Sequence, residues 1–128
     1  MPRKPSDLSI LLVDDAELIT KTVRAMLRDM GFKAIFVAGD GAQAWETLSR
    51  AELDLVICDW NMPKLSGLDL LKRIRETPRL EKLPFVMLTA EAEEQAVHAA
   101  VRAGVTDYVV KPFTKDTIVR KLTKLLGL

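Results

Sequence analysis

Asp14, Asp15, Asp59, Thr89 and Lys111 carry the side chains from which phosphoryl chemistry is assembled: oxygen ligands for a hard cation, a carboxylate nucleophile, a hydroxyl donor and an ammonium. Each follows or closes a short apolar run. Ser9-Ile10-Leu11-Leu12-Val13 precedes Asp14-Asp15, Leu55-Val56-Ile57-Cys58 leads to Asp59, Phe85-Val86-Met87-Leu88 leads to Thr89, and Asp107 to Lys111 ends on the lysine. Runs of this length, rich in β-branched residues and bounded by turn signals, read as strands buried on both faces of a parallel sheet. In open α/β sheets the crevice beyond the carboxyl ends of the strands is where ligands bind. Each residue also has an ordinary role. An Asp after a strand suits a turn, Asp14-Asp15 would complement a helix dipole, Lys111-Pro112 would make a turn, and Thr89 is a common strand residue. Their joint placement is what argues for chemistry.

The elements that must position these residues alternate along the chain. From Glu17 to Met30 the apolar positions Ile19, Val23, Met26, Leu27 and Met30 fall at helical spacing, and Gly31 supplies the stop. Lys33 to Ala38 is a strand holding Ile35, Phe36 and Val37, after which Asp40 with Gln43 forms a capping pair for a helix through Arg50. The Asp59 strand leads to a Pro-containing loop and then to Ser66 with Asp69, a capping box for a helix carrying Leu70, Leu71 and Ile74. The Thr89 strand is followed by an Ala-rich helix from Glu93 to Ala103, stopped at Gly104. Ile118, Leu122 and Leu125 mark a closing helix. Five strands alternating with five helices predict an α/β doubly wound parallel sheet of flavodoxin-like type, order 2-1-3-4-5, because right-handed crossovers place helices on both faces.

That strand order makes the four functional strand ends neighbours. Three carboxylates gathered there repel by on the order of 4 kcal/mol per pair at 4 Å and an effective dielectric of about 20. A divalent cation such as Mg²⁺, with Lys111 beside it, offsets that repulsion. A carboxylate held this way can attack phosphorus and become an aspartyl phosphate, while Thr89 offers its hydroxyl to a phosphoryl oxygen.

Composition narrows the alternatives. The 128 residues fit a single domain over 1–128 with room for a proper core, and no apolar run has the length of a membrane helix. The short run after the basic, Pro-containing first residues is cut by Asp14 and Asp15, so it is no signal peptide, and a cytoplasmic protein is expected. Net charge of +1 is far from the balance of a dedicated nucleic-acid binder. The single cysteine, Cys58, cannot form an internal disulfide and suits a packed thiol. His98, the one histidine, lies mid-helix and is assigned no chemistry.

The motifs Leu12-Val13-Asp14-Asp15, Asp59-Trp60-Asn61-Met62-Pro63, Leu65-Ser66-Gly67-Leu68, Thr89-Ala90-Glu91-Ala92 and Tyr108-Val109-Val110-Lys111-Pro112-Phe113 resemble the receiver domain of two-component response regulators, from about Leu8 to the C-terminus. The likeness extends to the single-domain chemotaxis members. It implies that Asp59 is the phosphoacceptor, that Asp14 and Asp15 hold Mg²⁺ with the backbone carbonyl of Asn61, and that Thr89 and Lys111 contact the phosphoryl group. It also implies a cis Lys111-Pro112 bond and a histidine kinase as phosphodonor, with a phosphatase as a further candidate partner. Asn61 and Glu91, two residues beyond Asp59 and Thr89, match the chemotaxis members, and this implies a short-lived phosphorylated state. Glu17, beside the acidic pair, departs from them.

The same resemblance makes Thr89 the lever of a switch and Tyr108 the aromatic ring that changes rotamer with it. The output surface is then the fourth helix, the fifth strand and the fifth helix, offered by a monomer to a protein target. Lys115, Arg120, Lys121 and Lys124 on the last helix suit an acidic partner or a solvated face. Two other functions on this fold fare worse. A dehalogenase-like phosphatase places a second Asp two residues after its nucleophile, where this chain has Asn61. A flavin or nucleotide binder needs a Gly- or Ser/Thr-rich loop after the first strand, where Asp14-Asp15-Ala16-Glu17 would repel phosphate. No external substrate turnover is expected. The expected function is a phosphorylation switch, as a chemotaxis motor regulator or as the receiver of a larger regulator with a DNA-binding or enzymatic output domain.

Overall fold

The computed structural model describes residues 3–60, 62, 65–90 and 94–128, with the backbone alone for 94–96. Five strands form one parallel sheet: β1 (Ser9–Val13), β2 (Ala34–Ala38), β3 (Leu55–Asp59), β4 (Phe85–Thr89) and β5 (Asp107–Val110). Their order is β2-β1-β3-β4-β5, as the alternation of elements requires. The helices between and after them are α1 (Glu17–Asp29), α2 (Gly41–Arg50), α3 (Gly67–Arg75), α4 (Glu94–Arg102) and α5 (Lys115–Leu126).

The period-two alternation of strand side chains divides the core into two layers. Ile10, Leu12, Leu55, Ile57, Val86, Leu88 and Val109 pack with Val23 and Leu27 of α1 and with Ile118, Leu122 and Leu126 of α5. Leu11, Val13, Val56, Cys58, Phe85 and Met87 face the other way, onto Ala44 and Leu48 of α2 and Leu70, Leu71 and Ile74 of α3. Because β1, β3 and β4 are covered on both faces, their apolar residues are continuous rather than alternating. β2 is an edge strand, so Phe36 and Val37 remain partly exposed even though their run looks like the others in sequence.

Local signals set the helix ends. Asp40 accepts the Gln43 N–H at 2.8 Å while the Gln43 side chain accepts the Gly39 N–H at 2.9 Å, one residue earlier than in a strict capping box. Ser66 Oγ accepts the Asp69 N–H at 3.1 Å, and Thr114 caps α5 in the same way at 3.2 Å. α1 ends at Asp29 and β5 at Val110, each one residue short of the sequence expectation, which leaves Lys111 as the first residue of the turn. That turn contains a cis Lys111-Pro112 bond. The expected start of α4 at Glu93 lies outside the described residues.

Candidate functional site

The carboxyl ends of β1, β3, β4 and β5 converge on one acidic cleft. Asp14 follows β1 and is held from three directions: its N–H donates to Ala38 O at 3.1 Å, its Oδ1 accepts the Ala16 N–H at 2.8 Å, and its carbonyl accepts from the Thr20 hydroxyl at 3.4 Å. The same hydroxyl lies 3.2 Å from Ala16 O, so Thr20 ties the start of α1 to the strand that delivers Asp14. Asp59 is the last residue of β3, opposite Leu88. Beyond it, Trp60 N–H donates to Leu88 O at 2.8 Å, and Gly67 N–H donates to Trp60 O at 3.0 Å.

Gly67 permits this return. A Cβ there would overlap the Asp59 carbonyl and crowd Met87 Sδ, so α3 can begin this close to β3 only with glycine at its first residue. On the far side, Lys111 N–H donates to Thr89 O at 2.7 Å, which fixes the lysine backbone to the end of β4.

The charged groups then meet. Lys111 Nζ lies 3.0 Å from Asp59 Oδ1 and 3.3 Å from Asp14 Oδ2. Carboxylate oxygens of Asp14, Asp15 and Asp59 lie within 4.8 Å of one another, with Asp14 and Asp59 buried and Asp15 exposed. Among the described residues, Lys111 is the ammonium that pairs with this cluster, bonding two of its three carboxylates, and the crowding shows in the acid–base behaviour. Burial pushes the Asp59 carboxyl above its ordinary range and the charge of Asp14 adds to that, while the bond from Lys111 only partly opposes it. Burial alone would lower the Lys111 ammonium, but its bond to Asp59 and the charges of Asp14 and Asp59 outweigh this and hold it above the usual lysine value. Compact, partly buried carboxylate oxygens with excess negative charge are a donor set that suits a hard divalent cation such as Mg²⁺.

Other expectations resolve individually. Cys58 is fully buried beside Asp59, and burial, then the charges of Asp59 and Asp14, raise its thiol well above the ordinary value, as a packed, unreactive cysteine requires. Glu17 is exposed and pairs with Lys21 at 3.3 Å, outside the carboxylate cluster. Thr89 is buried at the end of β4 and, with Tyr108, Trp60, Met87, Val97 and Ala100, lines a small apolar cavity beside the cleft. Asn61 and Glu91 lie outside the described residues.

Three contributors were not anticipated from the sequence. Thr20 sits on the buried stripe of α1 with Val23 and Leu27, and a hydroxyl in such a stripe was the available signal. Gly67 stood in the Leu65-Ser66-Gly67-Leu68 motif, where its type was the only sign of a close backbone approach. Lys121, grouped by sequence with the polar side of α5 that suits an acidic partner or solvent, is turned onto β5, with Nζ 2.7 Å from Tyr108 O and 3.0 Å from Asp107 Oδ1.

Comparison with known proteins decides the family, since the response regulator receiver domain matches residues 10–123. The chain belongs to that family. Among curated relatives, the chemotaxis protein CheY-3 of Vibrio cholerae is 44% identical over 119 residues, which is 93% of this chain and 92% of the relative. Among solved structures, the chemotaxis response regulator CheY4 of Vibrio cholerae superposes with a TM-score of 0.87 at 31% identity, covering 93% of this receiver and 98% of that chain. The receiver domain of a sensor histidine kinase from Pseudomonas aeruginosa, solved with a magnesium ion coordinated in its active-site cleft, has a TM-score of 0.86 at 30% identity, covering 94% and 98%. The receiver described here is thus a CheY-like two-component signalling domain. None of its described helices is long and apolar enough to cross a membrane.

Proposed function

We propose that this receiver, over residues 1–128, is a Mg²⁺-dependent phosphorylation switch in which Asp59 accepts a phosphoryl group from a histidine kinase. The observation that carries this reading is the convergence of Asp14, Asp15, Asp59 and Lys111 at adjacent strand ends. Asp14, Asp15 and Asp59 would hold the metal, in keeping with the magnesium coordinated in the related kinase receiver. When bound, Mg²⁺ neutralises carboxylate charge and the oxygens of the transferring phosphoryl group.

The chain's own residues do the rest. A carboxylate oxygen of Asp59 attacks phosphorus, forming an O–P bond as the P–N bond to the donor imidazole breaks, and the released nitrogen takes a proton from water. Lys111 Nζ, already 3.0 Å from Asp59, bears on the same oxygens and stabilises charge that develops during transfer. Thr89 donates its hydroxyl to a phosphoryl oxygen, and its displacement changes the wall of the cavity it shares with Tyr108. Tyr108 then moves relative to α4, and the α4-β5-α5 face becomes competent for a protein target. The chemotaxis relatives favour a partner in flagellar motor control, reached by a soluble monomer in the cytoplasm. No external substrate is turned over.

Intact mass after incubation with Mg²⁺ and acetyl phosphate tests the proposal. Wild type gains one phosphoryl group, and Asp59→Asn and a metal-free sample gain none. A gain in Asp59→Asn equal to wild type would move the acceptor elsewhere and overturn the assignment.

A further inference from the structure

The outward edge of β5 is closed by side chains in a way that concerns Tyr108. Its N–H donates to Asp107 Oδ1 at 2.7 Å, and its carbonyl accepts from Lys121 Nζ at 2.7 Å, so the two outward backbone groups of this edge residue are saturated without a neighbouring strand. The same ammonium pairs with Asp107 Oδ1 at 3.0 Å and lies 5.4 Å from the centroid of the Tyr108 ring. Three partners of one residue pair thus converge on one nitrogen, and the Lys121 side chain is only 27% exposed.

The half-buried ring has a second neighbour. It forms one wall of the apolar cavity bounded by Trp60, Met87, Thr89, Val97 and Ala100. A cation attracts the face of an aromatic ring out to about 6 Å, so the ammonium favours the ring on the α5 side against a rotamer turned toward the cavity, whose volume of about 10 Å³ admits the ring only as a lining side chain such as Thr89 withdraws. Rotation toward the cavity carries the ring away from Nζ, while the bonds of Lys121 to the Tyr108 carbonyl and the Asp107 carboxylate keep the ammonium where it is.

We infer that Lys121, with Asp107, is a positioning pair for Tyr108: the ammonium holds the ring on the α5 side and sets the resting balance of the switch. This rests on the reading of Tyr108 as the switch aromatic. Lys121 touches neither the phosphoryl site nor the metal ligands, so its effect on the switch passes through Tyr108 and Asp107. Removing its charge shifts the resting ring population toward the cavity by about two- to five-fold, the Boltzmann factor of one half-exposed cation–π contact.

The chain has one tyrosine, so biosynthetic 3-fluorotyrosine gives one ¹⁹F resonance that reports this ring. Spectra of wild type, Lys121→Met, Lys121→Arg and the exposed-site control Lys124→Met are compared, each with Mg²⁺ alone and with Mg²⁺ and beryllofluoride as phosphoryl mimic. In wild type, beryllofluoride moves the line. With Mg²⁺ alone, the K121M line lies part-way toward that position, while K121R and K124M stay at the wild-type position. If K121M does not fold, Lys121→Gln, which keeps an N–H donor for the carbonyl but no charge, carries the same expectation. Coincident K121M and wild-type lines, in a wild type that responds to beryllofluoride, would overturn the positioning role alone. A wild-type line that ignores beryllofluoride, in a sample whose Trp60 fluorescence shows that the mimic has bound, would remove the switch reading and this inference with it.

Discussion

Charge is used in opposite ways at the two ends of the sheet. At the carboxyl end, carboxylate oxygens of Asp14, Asp15 and Asp59 crowd within 4.8 Å of one another, with Lys111 the ammonium that pairs with them among the described residues, and Asp59 is harder to ionise than a free carboxyl. At the amino end, charged groups are matched to backbone. Asp54 Oδ2 accepts the Ser9 N–H at 2.8 Å, Arg79 donates to Leu48 O at 2.8 Å, and Arg75 donates to Leu83 O at 2.7 Å and Gly104 O at 2.9 Å. Among the described residues, carboxylates outnumber ammonium groups in the cleft, while these amino-end charges are each bonded to backbone. The difference teaches where stability is kept and where binding free energy for a cation and a phosphoryl group is held in reserve.

The largest effect is expected at the amino end. Arg75→Met releases the carbonyls of Leu83 and Gly104 and lowers stability by about 3 kcal/mol, the sum of a charged hydrogen bond to the part-buried Leu83 carbonyl and a weaker, exposed one to Gly104, while the Thr106 hydroxyl keeps the Phe85 N–H. Urea unfolding checks this, and phosphorylation from acetyl phosphate below the transition is unchanged. Loss of phosphorylation in folded protein would break the division between the two ends.

Gly67→Ala comes next, because its Cβ overlaps the Asp59 carbonyl. We expect a loss of about 2 kcal/mol, in the range of overpacking, together with slower labelling of Asp59. Stability and labelling unchanged within error would mean that α3 can retreat from β3 without moving the site.

Asp59→Asn should have the opposite sign on stability. A carboxyl whose folded pKa lies above its unfolded value binds more protons in the folded state between the two, so stability falls as pH rises through that window and the loss persists above it. The neutral amide escapes the loss. Metal-free Asp59→Asn and wild type are therefore expected to match near the ordinary carboxyl value and to diverge with rising pH, the variant being the more stable at neutrality. Thermal unfolding in chelator across this range measures the divergence, and saturating Mg²⁺ narrows it by stabilising wild type. A constant difference at all pH values would remove the link between crowding and stability. The smallest effect is expected for Arg79→Met, which frees one carbonyl rather than two, at about 1 kcal/mol with no pH dependence.

The elements were legible because their signals are local. Apolar runs and the caps at Asp40 and Ser66 depend on residues a few positions apart, and the structure ends them within a residue of expectation. The carboxylate cluster was legible one step further on, because strand order followed from the alternation of elements and each reactive residue stands at a strand end. Thr20, Gly67 and Lys121 were not, since their partners lie 6, 8 and 13 residues away or across an element boundary. Phe36 and Val37 show the same limit. Their run reads like any buried strand, and exposure follows from β2 having a neighbour on one side only.

The sequence by itself determined the α/β alternation, the strand order it compels and the residue types at the strand ends, because periodicity and turn chemistry act over short distances and right-handed crossovers leave little choice of topology. Tertiary structure alone decided that Lys111 pairs with both Asp14 and Asp59, that α3 begins against the Asp59 carbonyl, and that the Lys121 ammonium is turned onto the edge of β5 rather than to solvent. Those outcomes depend on distances between residues far apart in the chain. Burial then sets their strength, because an uncompensated charge or a close backbone contact matters only where water cannot relieve it.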